Sequence, residues 1–325
     1  MFRCEGKYPL RRSHLALQKY RLDRPNIYNS GGLLPTNGPE WFRIRTVFQK
    51  GLSSPSSVKN YLKDADTITR EWLTGIEKLN SKPSVDYLDE LSRLFLELIG
   101  QVALDVRLNS FSKEEHRKPS RTSKLIQAAL DTNSCILKTD NGLQLWKKVE
   151  TPLFKKLRKS QEYMEEVAID LLSLKMTTFN EKEKNAPQTL LETYLSSPEL
   201  DFKDIIGIVC DFLLAGIDTQ KNSDVQDRLY EESCKLLSSK NSPVTSDILQ
   251  EAVYAKAVLK ESLRLRPISI GIGRVLQKEA VFSGYSVPPD AVRNFGIGWN
   301  GGSLDSKSLL INKPDGPIYL TFTKR

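Results

Sequence analysis

The sequence holds 325 residues, enough for two domains or one large one at about 150 residues per domain. Apolar residues make up 39% and charged residues 27%, near ordinary globular values, which excludes collagen-like, wholly disordered and polytopic membrane chains. Lys and Arg number 48 against 40 Asp and Glu, a net charge of +8. That balance admits an acidic protein partner, an anionic membrane surface or nucleic acid, and cannot choose among them.

The N-terminal run MFRCEGKYPLRR carries Arg3, Lys7, Arg11 and Arg12 beside Glu5 and leads into no apolar stretch, so it reads as the interior of a chain rather than a signal peptide. A breaker-rich stretch at 28–40 ends in Gly38 and Pro39, after which a helix should begin. On it Trp41 and Arg45 stand four apart, on one face, where an indole and a guanidinium can meet an anionic ligand. Taken by itself, the pair is more simply a surface arginine beside a half-buried tryptophan. Apolar residues recur every three or four positions over 57–79 and 86–106, which predicts two packed amphipathic helices. A further helix is expected over about 149–175; Lys147, Lys148, Lys155, Lys156, Arg158 and Lys159 load its start with positive charge, for which a solvated face is the plain account.

The stretch 200–219 is apolar almost all round, as in a helix buried inside a domain. Its longest apolar run, Ile205 to Ile217, has 13 residues and includes Asp211, against about 20 needed to span a bilayer. Within it Ala215 and Gly216 offer small side chains before Asp218 and Thr219. A tight helix crossing would account for them; so would a groove for a small ligand with an acid and an alcohol to relay protons. Helices follow over 224–239 and 246–267, the second capped by Ser246 or Asp247 and closed by Pro267. Glu261 and Arg264 stand three apart on it, fit for a bidentate ion pair. Past Pro267 the apolar residues alternate, predicting short strands and a hairpin that folds back at Lys313-Pro314-Asp315-Gly316. The fold class expected is mainly α with a minor β part, 1–267 helical and 268–325 strands and a hairpin, as one domain. Four cysteines without a C-x-x-C pair, and two histidines, make neither a disulfide framework nor a zinc site. A reducing compartment fits them, and Cys210 reads as a small buried hydrophobe.

W-x-x-x-R at Trp41 and Arg45, A-G-x-D-T at 215–219 and E-x-x-R at Glu261 and Arg264, in this order and at these separations, resemble the C, I and K helices of cytochrome P-450. The segment PISIGIGRVLQKEAVFSGYSVP resembles the strands that follow in that family. EGKYPLR, YRLDRPNIYNSGGLLPTNGPEW, RLRPIS and SLLINKPDGPI are most similar to the mitochondrial branch, particularly arthropod enzymes that hydroxylate ecdysteroid precursors. The resemblance implies haem b as cofactor, with Trp41, Arg45 and Arg274 on its propionates. It also implies Ala215, Gly216, Asp218 and Thr219 around bound oxygen and its protons, Phe212 and Ile268 facing substrate, and Glu261 with Arg264 as a structural pair. Lys256 and Lys260 match the lysines that dock an acidic, adrenodoxin-like ferredoxin, itself served by a reductase, although an ordinary solvated helix face fits them too. A sterol-like substrate, a mitochondrial location and peripheral membrane contact belong to the same expectation; nucleic acid does not, since no basic and aromatic interleaving appears.

The chain departs from the family where the iron ligand should be. Its thiolate donates electron density that favours O–O cleavage, and the family supplies it from a Phe-Gly-x-Gly-x-Arg-x-Cys loop. Here the sequence reads Phe295-Gly296-Ile297-Gly298-Trp299-Asn300-Gly301-Gly302, with Gly302 in the ligand position. After Thr219 the chain passes through QKNSD directly into VQDRLYEE, cutting the I-type helix short, and the segment whose arginine completes the Glu261–Arg264 network is absent. The expectation is therefore an incomplete, catalytically impaired haem monooxygenase: a fragment, a splice product or an imperfect gene model. The alternative is a non-catalytic protein that binds ferredoxin.

Overall fold

The computed structural model describes residues 8, 10–53, 55–79, 87–117, 119–141, 143–179, 189–215, 223–239, 241–265, 273–282, 285–287, 292–294, 306–307 and 313–314. Helices dominate: α1 Leu15–Leu22, α2 Gly38–Ser53, α3 Pro55–Leu79, α4 Tyr87–Leu104, α5 Lys113–His116, α6 Arg121–Asp140, α7 Pro152–Phe179, α8 Leu190–Leu195, α9 Phe202–Ala215, α10 Ser223–Leu236, α11 Ser246–Glu251 and α12 Val253–Leu265.

The apolar stretch expected at the centre is α9. Ile208 and Cys210 are fully buried, with Ile205, Val209 and Leu213 nearly so, because α4, α6, α7 and α8 all pack around it. Gly207 lets the loop between α1 and α2 press against the same helix, since a Cβ there would lie 2.8 Å from Gly32 Cα. The described part of this helix ends at Ala215, and the following residues 216–222 lie outside the described ones.

α6 pairs most extensively with α7, yet its apolar pattern predicts no separate helix. Its inward positions include Thr122, Ala128, Ala129, Thr132, Cys135 and Thr139, small or polar residues that leave little contrast between its faces. A capping box, Ser120 with Ser123, fixes its start. A second, smaller core of Ile68, Trp72, Ile76, Tyr87 and Leu94 joins α3 to α4.

Two expectations of local structure are corrected. The helix foreseen over 246–267 breaks at Ala252, whose ψ is 71°. The carboxylate of Glu232 on α10 accepts the N–H groups of Tyr254 (2.7 Å) and Ala255 (2.9 Å), so an acid from a neighbouring helix caps α12 and replaces the carbonyls of a continuous one. The cap of α11 is Thr245, which accepts from Ile248 N, rather than Ser246 or Asp247. The described strands form three two-stranded antiparallel ladders: β1 Gly273–Val275 with β4 Val292–Asn294, β2 Ala280–Phe282 with β3 Tyr285–Val287, and β5 Ser306–Lys307 with β6 Lys313–Pro314. Of the expected fold-back at Lys313-Pro314-Asp315-Gly316, Lys313 and Pro314 lie in β6, where a proline is tolerated on a ladder edge, and Asp315 and Gly316 lie outside the described residues.

Candidate cofactor-anchoring site

The site begins with a buried ion pair. Arg21 on α1 is fully buried, and its Nη1 donates to Asp211 Oδ1 on α9 at 2.8 Å and to the Gly31 carbonyl. The second oxygen of Asp211 accepts the backbone N–H groups of Leu33 (2.7 Å) and Leu34 (3.0 Å). Burial pushes the Asp211 carboxyl up, while the Arg21 charge and the two N–H groups pull it down. The close fit needs Gly32, whose φ is +89° and where a Cβ would sit 2.7 Å from Arg21 Nη1.

The loop held in this way carries the next layer. Arg11 donates from Nη2 to the carbonyls of Thr36 (2.7 Å) and Leu33 (3.3 Å), and its backbone exchanges hydrogen bonds with the Asn37 side chain. Its guanidinium lies over the Trp41 ring, 5.2 Å from the centroid, a cation–π arrangement. One residue earlier, Leu10 pairs with Val275 of β1 through Val275 N to Leu10 O at 2.9 Å. The strand bearing Arg274 is thus laid beside the segment that covers Trp41. Arg11 is a residue the motif spacing misses, because its relation to Trp41 crosses 30 positions of chain and is made by a loop rather than by helical period.

Arg45, one helical turn after Trp41, lies over Phe48 at 5.7 Å and bonds Gln49 through Nε. Among the described residues, neither its two terminal nitrogens nor the Trp41 indole N–H has an acceptor. Phe48 in turn stacks on Tyr194 (6.2 Å) and meets Phe212 (5.3 Å). Sequence-predicted Arg45 and Phe212 are therefore brought to one aromatic cluster, and Ala215 ends the same helix, exposed. Gly216, Asp218, Thr219 and Ile268 lie outside the described residues, as does the side chain of Arg274.

Glu261 and Arg264 form the expected bidentate pair at 2.7 Å. Both are more than half exposed, as in a surface ion pair, and α12 has no buried residue. Lys256 and Lys260 are exposed one turn apart on it, Lys256 also donating to the Gln250 carbonyl at 2.7 Å. On α7 part of the positive charge is locally matched: Arg158 bridges Glu150 and Glu162, and Lys156 meets Asp131. The turn before α7 is different, for Leu143 (88%), Leu145 (57%) and Val149 (62%) are exposed beside Lys147 and Lys148.

A haem would need hydrogen-bond donors for its propionate carboxylates and a thiolate for its iron. The donors around Trp41 and Arg45 suit the first. The described cysteines do not suit the second: Cys135 and Cys210 are buried, and Cys234 is exposed on α10. Burial pushes the Cys210 thiol up to about 11, and Tyr28 Oη lies 3.7 Å from its sulfur, so it is held as a neutral thiol. No cluster of three metal-ligating side chains occurs among the described residues.

A family model described as "Cytochrome P450" matches residues 7–295. The chain is 45% identical over 297 residues to "Cytochrome P450 302a1, mitochondrial" of Drosophila melanogaster, an alignment covering 87% of this chain and 60% of that protein. It is 27% identical to "Probable cytochrome P450 12a5, mitochondrial" (90% and 58%) and 26% identical to "Ecdysone 20-monooxygenase" (87% and 57%), both of the same fly. The chain spans about 60% of the length of these relatives.

Proposed function

Because this chain belongs to the cytochrome P450 family, we propose that it is part of a mitochondrial haem monooxygenase acting on a sterol- or ecdysteroid-like substrate, and that the chain as it stands does not complete the catalytic centre. The observation that carries this reading is the half-built site: anion-seeking donors gathered around Trp41, and no described thiol fit to ligate iron. When bound in this family, haem supplies the oxygen-activating metal. Trp41, Arg45, Arg11 and Arg274 would hold its carboxylates. The Arg21–Asp211 pair keeps the loop under Arg11 in place, and Phe48 with Phe212 sets an aromatic contact beside Arg45.

The reading is tested by expressing the whole chain and recording the reduced, carbon monoxide-bound absorption spectrum. No thiolate-type Soret band is expected; a stable one would falsify the proposal of an incomplete centre.

A second reading rests on α12. Lys256 and Lys260 present two exposed cations one turn apart, and a patch of this kind steers encounter with an acidic ferredoxin. A chain without the iron ligand could keep this contact and bind the electron donor without turning over. Lys256→Glu with Lys260→Glu should abolish capture of an acidic, adrenodoxin-type ferredoxin at low salt; unchanged capture would remove this reading.

The turn between α6 and α7 supports peripheral membrane contact. Leu143, Leu145 and Val149 give it an exposed apolar tip flanked by Lys147 and Lys148, the composition that enters an anionic interface. Co-flotation with vesicles containing anionic lipid should fall at least several-fold in Leu143→Ser with Leu145→Ser. Equal flotation of parent and variant would rule out this tip as the contact.

A further inference from the structure

Trp41, Trp72 and Trp146 are the tryptophans among the described residues. Trp72 donates its indole N–H to the Glu90 carbonyl at 3.0 Å and Trp146 to the Thr139 carbonyl at 2.9 Å. The Trp41 N–H has no acceptor among the described residues, although its ring is half-buried, packed against the main core and covered by the Arg11 guanidinium at 5.2 Å.

The cation is set there by groups other than the tryptophan. Arg11 Nη2 is turned toward the Thr36 and Leu33 carbonyls. The backbone of Arg11 is clamped by a single side chain, since Asn37 accepts the Arg11 N–H through Oδ1 at 2.8 Å and donates from Nδ2 to the Arg11 carbonyl at 3.0 Å. The Asn37 carbonyl also accepts the Trp41 backbone N–H at 3.4 Å. One residue thus joins the segment that carries the cation to the first turn of the helix that carries the indole.

Two effects reach the Trp41 N–H. A guanidinium fixed over the ring limits side-chain motion, so less rotamer freedom is lost when the N–H meets an acceptor. It also draws electron density to the ring face and leaves the edge, where the N–H sits, more positive. The second effect favours an anionic acceptor over a neutral one of the same shape.

We propose that Arg11 is a positioning residue for Trp41, held over the indole by Asn37, and that it raises the preference of the Trp41 N–H for a carboxylate, in addition to its own attraction for that charge. This rests on the reading that the Trp41 end of the site takes haem carboxylates.

The test uses the whole chain, with metal-free protoporphyrin IX as probe and its dimethyl ester as the neutral control, so that iron ligation plays no part. The four tryptophans give four indole signals in a proton–nitrogen NMR spectrum, and Trp41→Phe assigns the one that matters. Without porphyrin, Arg11→Gln and Asn37→Ala should each displace the Trp41 signal. Those of Trp72 and Trp146, which sit in the two cores, should stay in place and report that the variants are folded. In the parent the acid should move the Trp41 signal and bind more tightly than the ester. Arg11→Gln should lower this preference about three- to ten-fold, and by no more than about twofold where Trp41 is already Phe, since coupled residues do not act additively. Asn37→Ala, which keeps the charge and loses its placement, should lower the preference in the same direction. A parent that treats acid and ester alike removes the carboxylate reading and this proposal with it. An equal factor for Arg11→Gln in the two backgrounds, or a Trp41 signal that stays in place in both variants, overturns the positioning role while leaving the carboxylate reading intact.

Discussion

Asp211→Ala is expected to cost about 3 to 5 kcal/mol of folding stability, the range seen when one partner of a buried ion pair is removed. Three groups lose their acceptor together: the Arg21 guanidinium and the N–H groups of Leu33 and Leu34. Arg21 is the most exposed to this loss, for it is fully buried and its Nε already lacks a hydrogen-bond partner. Asp211→Asn should be little better, because an amide keeps an oxygen for the loop but leaves the arginine charge unmatched. The paired change Arg21→Met with Asp211→Leu should recover a large part of the loss, since it removes both charges. Urea titration at unchanged m-value reads all four proteins. A single Asp211→Ala within about 1 kcal/mol of the parent would show that the pair does not hold the loop. The consequence for the site follows from connectivity: Leu33 supplies one of the carbonyls that orient Arg11, so releasing the loop also releases the cation above Trp41.

Acidification should reveal a second dependence, through His14. Burial first, then the charges of Arg11 and Arg21, lower its imidazole from an ordinary 6.5 to about 4. The folded chain therefore keeps His14 neutral where the unfolded chain already takes up a proton. Stability from this group is complete above pH 6.5 and is lost as pH falls toward 4; linkage makes the loss between pH 7 and pH 4.5 about 2 kcal/mol. Asp140, whose carboxylate accepts His14 N and Leu15 N, acts in the opposite sense, since burial raises its carboxyl and the folded state holds that proton more tightly. His14 has φ of 61°, so asparagine, which tolerates this conformation, is the suitable replacement. Urea titrations at the two pH values should show the parent losing about 2 kcal/mol more than His14→Asn. Equal losses would exclude His14 as the sensor.

Much of the helical scaffold is legible in the chain because helical period needs only local information. The apolar run around Ile205–Leu214, the 57–79 and 86–106 segments and the Gly38-Pro39 break all mark elements within a few residues of their observed limits. Where most inward positions are threonine, alanine and cysteine, as in α6 with Leu125, Ile126 and Ile136 among them, the same signal weakens. Where an acid on another helix supplies the cap, as Glu232 does for α12, a continuous period conceals a break.

The candidate site divides in the same way. Trp41 and Arg45 are four residues apart and share a helix, so spacing alone joins them, and the order of the short motifs is enough to assign the family. The absence of a cysteine after Phe295 in the 325 residues is likewise a property of the sequence. Tertiary structure alone decides that Arg11 covers Trp41, that Asp211 holds the loop beneath it, and that Glu261 and Arg264 face solvent. Those relations join residues far apart in the chain, and they depend on burial and on hydrogen bonds between elements, which local period does not encode.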